Sequence, residues 1–327
     1  MSRPALRAAA LWILFFLISC GLGYATVSRY DPRTTPGTFD ASRYARLAEG
    51  ATPDPTDKAM FRVVVPYVAM PFARLARGHV GHWNATLLGL LVANAGFCAM
   101  TASLLLFFAT KITGDGRHAL TASLLYLASF NVINHQLAGL VDSAETCAMM
   151  LLTIALRARR WWWLPVIGVF GALSKETFLP LGVVFSIAWL SAEEPAFRRR
   201  QTPWVSVMAL GAAGFAAIYI VRSIPAGAPV SLWSLIASER GGDAAIGRFL
   251  APFADRQFWC VTLGCVPGLF GLRFLPVPWI RAALVASLAT LALSAWHDSG
   301  GGAAGRGVFD VLMPLATLGL ARVITKM

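Results

Sequence analysis

Charged side chains are scarce in this chain, and acidic ones are scarcer than basic ones. They make up 13% of 327 residues, with 16 Asp and Glu against 28 Lys and Arg. A soluble domain carries about 25% charge, so an ordinary water-facing surface is excluded. Histidine and cysteine are rare too, at five each. The cysteines (Cys20, Cys98, Cys147, Cys260 and Cys265) lie in or beside apolar runs, and no pair has metal-site spacing. They read as small apolar packing residues. No internal repeat is visible, which argues against the inverted-repeat plan of many transporters.

Apolar residues fill the space: 57% of the chain, with a mean hydropathy of +0.63. Several runs reach the roughly 20 residues needed to cross a bilayer. The expected fold is all-α, a polytopic transmembrane helical bundle of about ten spans forming one integral membrane domain over residues 1–327. A net charge of +12 then speaks for arginines at span ends, meeting anionic headgroups, and not for nucleic acid.

The spans are expected near 8–27, 84–110, 118–136, 139–156, two short ones within 164–191, 203–221, 257–272, 280–296 and 308–325. Two long loops, 28–83 and 222–256, separate them. In the first, Thr38–Gly50 reads as a helix, and Met60–Ala76, with its prolines and arginines, as an interfacial or re-entrant element. In the second, 232–236 and Ile246–Phe253 read as surface helices. The basic and aromatic run Arg157–Trp163 marks a membrane surface. Asn84-Ala85-Thr86 matches a glycosylation pattern that chance also produces. The loop His297–Gly307 is rich in glycine and reads as flexible, with His297-Asp298 as a lid element at most.

With both termini on the cytoplasmic side, 13 of the 16 acids fall outside; the 28 Lys and Arg divide 14 inside and 14 outside, but 12 of the outer ones lie in the two long loops, which count less toward orientation. That orientation puts Asp40, Arg62, Asp142, Glu145, Lys175, Glu176, His297, Asp298, Arg306 and Asp310 at the outer face. Ionisable residues at span ends call for solvent or partners, so their convergence predicts a polar outer cavity. For each residue singly, a wet helix end is the plainer account.

Asp40 and Tyr44 are i and i+4 and share one face of the expected loop helix, with Leu47 next along it. Asp40 serves equally well as an N-cap or as a carboxylate held over the bundle. Asp142 and Glu145 are i and i+3 and invite a cation, first of all Lys175. Arg62 and Arg306 suit phosphate, and suit snorkelling to headgroups as well.

These segments resemble, in order, the GT-C superfamily of membrane glycosyltransferases. The long first outer loop with Asp40 and Tyr44, the Arg62-x-x-x-Pro66 spacing, the Ser174-Lys175-Glu176-Thr177 turn and Gly305-Arg306 before a last helix with Pro314 are each similar to features of its bacterial members. The resemblance is scattered over most of the chain, and each motif is short. It implies an inverting transfer of a hexose or pentose from a polyprenyl-phosphate-linked donor to an envelope acceptor, on the outer face of a bacterial inner membrane. Asp40 would be general base, with Tyr44, Arg62, Asp142, Glu145, Lys175, Glu176 and Arg306 binding substrate. No cofactor is fixed by it. Some members use a divalent metal, Mg or Mn, which Asp40, Asp142 and Glu145 would hold. The implied partners are the lipid-linked sugar and membrane lipid. A lipid or small-molecule transporter or flippase, and a non-catalytic membrane scaffold, are the competing readings.

Overall fold

The computed structural model describes residues 3–29, 39–54, 57, 61–81, 83–195, 200–229, 245–296 and 301–325. Among the described residues the chain is all-helical, without strands. The helices are α1 (Arg3–Arg29), α2 (Phe39–Ala48), α3 (Val64–Ala76), α4 (Ala85–Thr113), α5 (Gly116–Leu127), α6 (Asp142–Arg157), α7 (Trp163–Ser174) and α8 (Phe178–Ser191). They continue with α9 (Gln201–Ala226), α10 (Ala245–Ala254), α11 (Arg256–Thr262), α12 (Val266–Leu269), α13 (Val277–Trp296) and α14 (Gly301–Ile324).

Five of these helices contain segments long and apolar enough to cross a membrane: Ala5–Val27 in α1, Ala85–Thr113 (all of α4), Gln201–Ala226 (α9), Val277–Trp296 (α13) and Gly302–Ile324 in α14. The remaining expected spans are shorter or broken. The 164–191 run does divide, into α7 and α8 of 12 and 14 residues. At 1.5 Å per residue these are about 18 and 21 Å long, short of a hydrocarbon core of about 30 Å. The expected span at 118–136 stops at Leu127 and resumes as a five-residue π-helical turn, Val132–Gln136. The expected span at 257–272 breaks into short pieces, Arg256–Thr262, the 3-10 turn Leu263–Cys265 and Val266–Leu269.

One expectation is reversed. The Gly-rich stretch up to Gly307 was read as a flexible loop, yet from Gly301 onward it forms the first turns of α14. Close packing explains this, since a Cβ on Gly305 would crowd the Phe258 backbone and one on Gly307 would strike Thr290. In the first long loop, α2 forms within the expected helix Thr38–Gly50, and the segment expected to be interfacial or re-entrant, Met60–Ala76, is helical from Val64 as α3. Ile246–Phe253 falls within α10, whereas 232–236 and His297-Asp298 lie outside the described residues. Asn84 caps α4, its side chain accepting from the N–H groups of Thr86 and Leu87.

The long apolar helices differ in how they are used. Much of α1 is exposed, whereas α14 is largely buried and packs against α5, α6, α11 and α13. Short connections make neighbours antiparallel, so the start of α6, the α7–α8 turn and the start of α14 come to the same end of the bundle. A hydrogen bond from Val63 N–H to Leu173 C=O, 3.0 Å, brings the segment before α3 to that end as well.

Small residues let the helices approach, as membrane packing requires. Gly168 of α7 faces the Leu210 carbonyl of α9, and a Cβ on Gly214 would stand 2.8 Å from the Gly168 carbonyl oxygen. Gly168→Ala is therefore expected to lower stability by about 1–3 kcal/mol. Gly21→Ala, at a position with nothing within 4 Å, should be neutral or gain up to about 1 kcal/mol. Thermal unfolding of the two variants in detergent checks the contrast.

Candidate functional site

The site is built around a lysine. Lys175 leaves the C-terminus of α7 in an extended conformation, which carries its side chain back into the bundle. Its Nζ lies 2.6 Å from Asp142 Oδ1, 2.7 Å from Glu145 Oε2 and 3.9 Å from Asp310 Oδ2. Asp142 and Glu145 are one turn apart at the start of α6, and Asp310 comes from α14. All three are almost fully buried, at 4%, 1% and 1% exposure. Burial alone would lower the Lys175 pKa, but Asp142 and Glu145 outweigh it and raise it above the usual lysine value.

The remaining lone pairs are partly satisfied. Thr177 Oγ1 donates to Glu145 Oε1 at 2.7 Å. Asp310 Oδ1 accepts from Thr146 Oγ1 at 2.8 Å and from Gln136 Nε2 at 3.1 Å. The π-helical turn is what points Gln136 inward, and its Oε1 accepts in turn from Tyr126 at 3.1 Å. Asp310 Oδ2 has no hydrogen-bond partner. Arg306, one turn before Asp310 on α14, stands 3.9 Å from Asp142 Oδ1, and its Nε makes no hydrogen bond.

A second pair closes the site toward the first loop. Arg62 grips Glu176 with two bonds, Nε to Oε2 at 2.8 Å and Nη2 to Oε1 at 2.6 Å. Its third nitrogen, Nη1, donates to the Tyr44 hydroxyl at 2.7 Å. Bidentate geometry of this kind is the strong form of the arginine–carboxylate pair. Burial would raise the Glu176 carboxyl, but Arg62 more than offsets it and holds it at about 2. Burial pushes the Tyr44 phenol up to about 12, so it keeps its proton. Tyr44 is fully covered and Leu47 lies beside it on the buried face of α2.

The residues picked from the sequence therefore divide. Asp142, Glu145, Lys175 and Arg306 form one cluster, and Tyr44, Arg62 and Glu176 form a latch beside it. Asp40 sits in the first turn of α2, pairs with Arg43 at 2.9 Å and keeps its side chain 37% exposed. Arg43 also holds Asp57 at 2.8 Å. Arg62, expected to bind phosphate, is engaged by Glu176 and Tyr44.

Sequence reasoning placed Asp310 at the outer face without giving it a role, and left Gln136, Thr146 and Thr177 out of the site. The signal for Asp310 was available, since an acid ten residues into an apolar helix calls for a partner. Gln136 and Thr146 carried no such signal.

The same cluster tests the metal that the resemblance allows. The ligand oxygens of Asp142, Glu145 and Asp310 lie within 4.8 Å of one another, which suits a hard cation. Lys175 Nζ already hydrogen-bonds Asp142 and forms an ion pair with Glu145, two of the three, in the space such an ion would take. As arranged, the residues fit a lysine and not a divalent metal, and Asp40 is not among them.

No protein-family model matches this chain, and no curated protein matches it significantly.

Two measurements follow from this geometry. Lys175→Met leaves three buried carboxylates without their cation and is expected to cost about 3–5 kcal/mol. Adding Glu145→Gln to that variant should recover part of the loss in thermal unfolding. The Glu176 carboxyl is depressed in the folded chain, so its contribution to stability is complete above its ordinary value of about 4.5 and fades as pH falls toward 2. The stability gap between wild type and Glu176→Gln should accordingly shrink between pH 4.5 and 2 in a detergent denaturation series.

Proposed function

We propose that this is an inverting membrane glycosyltransferase of GT-C type, moving a sugar from a polyprenyl-phosphate-linked donor to an envelope acceptor. The reading takes both termini as cytoplasmic and the chain as lying in a bacterial inner membrane, with the charged end of the bundle facing outward. One observation carries it. The first-loop helix α2 is latched over that end by Tyr44, Arg62 and Glu176, and it presents a solvent-reaching carboxylate, Asp40, one turn from the latch.

In this mechanism Asp40 accepts the proton from the acceptor hydroxyl as that oxygen attacks the anomeric carbon. The bond to the donor phosphate breaks in line, the configuration inverts, and the phosphate leaves with the electron pair. Arg306 is the cation with unused donors in the cluster, and it receives the developing phosphate charge. Lys175 holds Asp142 against it. Arg62 positions α2 through Tyr44.

A transporter or flippase is the second reading, and Asp310 favours it. It lies roughly 13 Å along α14 from its start, deeper than a rim residue, and ionisable groups at such depth often mark a translocation path.

Asp40→Asn is expected to reduce sugar transfer in membranes by about 10²- to 10⁴-fold while insertion and thermal stability hold. The assay follows labelled sugar from a polyprenyl-phosphate donor into envelope material. Undiminished transfer by the variant removes Asp40 as base. Labelled lipid crossing proteoliposomes with its headgroup unchanged supports the flippase instead.

A further inference from the structure

Arg222 is the one charged residue in the described apolar core for which neither the latch nor the cluster accounts. It lies four residues before the end of α9 and is only 7% exposed. Its guanidinium stands over the Phe61 ring at 5.1 Å, a cation–π contact that satisfies none of its five donors. The Nε makes no hydrogen bond, and among the described residues no carboxylate lies within ion-pair distance of it. Glu176 is within electrostatic reach, but both its oxygens are taken by Arg62, which is itself positive toward Arg222. A buried charge in a low-dielectric setting is paired as a rule, so this one calls for an anion supplied from outside the described chain.

The surroundings say what kind. Beside Arg222 on the same helix, Val221, Ile224 and Pro225 line a groove of about 670 Å³, closed on the other side by Val63, Tyr67 and the loop from Gly50 to Pro53. The wall is mostly apolar. Two of its lining residues, Tyr67 and Ile224, are exposed, as are their neighbours Val68 and Ile220 on α3 and α9. Water has little reason to fill such a groove at the edge of a bilayer, and an acyl chain does. One uncompensated guanidinium complements one net negative charge.

We infer that Arg222 and this groove form a binding site for an anionic bilayer phospholipid, its phosphodiester on the guanidinium and an acyl chain along Val63, Tyr67 and Ile224. Arg is suited to the phosphate by its planar fork. The site stands apart from the proposed transfer reaction. Its residues are neither Asp40 nor the Lys175 cluster, so loss of lipid binding and loss of transfer are separable results.

The test uses the full chain, delipidated in detergent and titrated with phosphatidylglycerol or with phosphatidylcholine of the same acyl chains, bound lipid being counted by native mass spectrometry. Wild type is expected to take one phosphatidylglycerol at least tenfold more tightly than phosphatidylcholine. Arg222→Gln should abolish that preference and Arg222→Lys should weaken it. Ala51 lies on an exposed loop of the groove wall, so Ala51→Trp blocks the chain seat without touching the core, and it should weaken binding even if Arg222→Gln fails to fold. Equal affinity for the two lipids, or unchanged binding by Ala51→Trp, overturns the site. Displacement of the lipid by millimolar inorganic phosphate overturns the groove's part in it. Binding of polyprenyl phosphate in preference to phosphatidylglycerol overturns the choice of a bilayer phospholipid and makes the groove a seat for the donor.

Discussion

An ammonium group buried among three carboxylates is the constraint on which the rest of this molecule depends. Lys175 reaches Asp142 and Glu145 at hydrogen-bonding distance and Asp310 at 3.9 Å, in a bundle made mostly of apolar side chains. None of these groups is tolerable there alone. Together they bind three segments that are far apart in sequence: the start of α6, the α7–α8 turn and the middle of α14. Because buried ion pairs are exacting in geometry, the cluster fixes how deep each helix sits. The π-helical turn adds to this by feeding Gln136 into the same network.

The charged residues at this end of the bundle do three different things. Lys175 and the acids hold helices together. Arg62, with Glu176 and Tyr44, holds a loop helix down on them. Arg306 and Arg222 have donors that the described protein leaves unused. In the proposed readings a phosphate-bearing ligand would meet the last group, and the first two would hold those cations in place. This division explains how a chain with 16 acidic residues can concentrate so much chemistry in one place: most of the cluster is scaffold, and the free cations are few.

Much of the fold was legible because burial in a membrane leaves a coarse signal. Long apolar runs gave α1, α4, α9, α13 and most of α14, and the polar Ser174-Lys175-Glu176-Thr177 interruption gave the turn between α7 and α8. The runs at 118–136 and 257–272 were apolar enough to read as spans, yet each is broken. Hydropathy measures composition over a window, whereas a π-turn or a 3-10 turn such as Leu263–Cys265 depends on where individual residues meet their neighbours. The start of α14 misled for the same reason. Its glycines looked like a flexible loop, and they are helical because Phe258 and Thr290 press against them.

By itself the sequence determined the solvent of this protein and which residues were too polar for it. An apolar chain with few charges must be helical in a membrane, since every backbone group has to find a partner within its own segment. It also determined that Asp142 and Glu145 share a helix face and that Asp40 and Tyr44 share another. The pairing of Lys175 with Asp142 and Glu145 was already legible in the sequence; only the tertiary structure added Asp310 to it, spent the donors of Arg62 on Glu176 and Tyr44, and left Arg222 over. The physical reason is that a charge in a sequence states a need for a partner, and which partner meets it is set by distances between segments up to 174 residues apart, from Gln136 to Asp310.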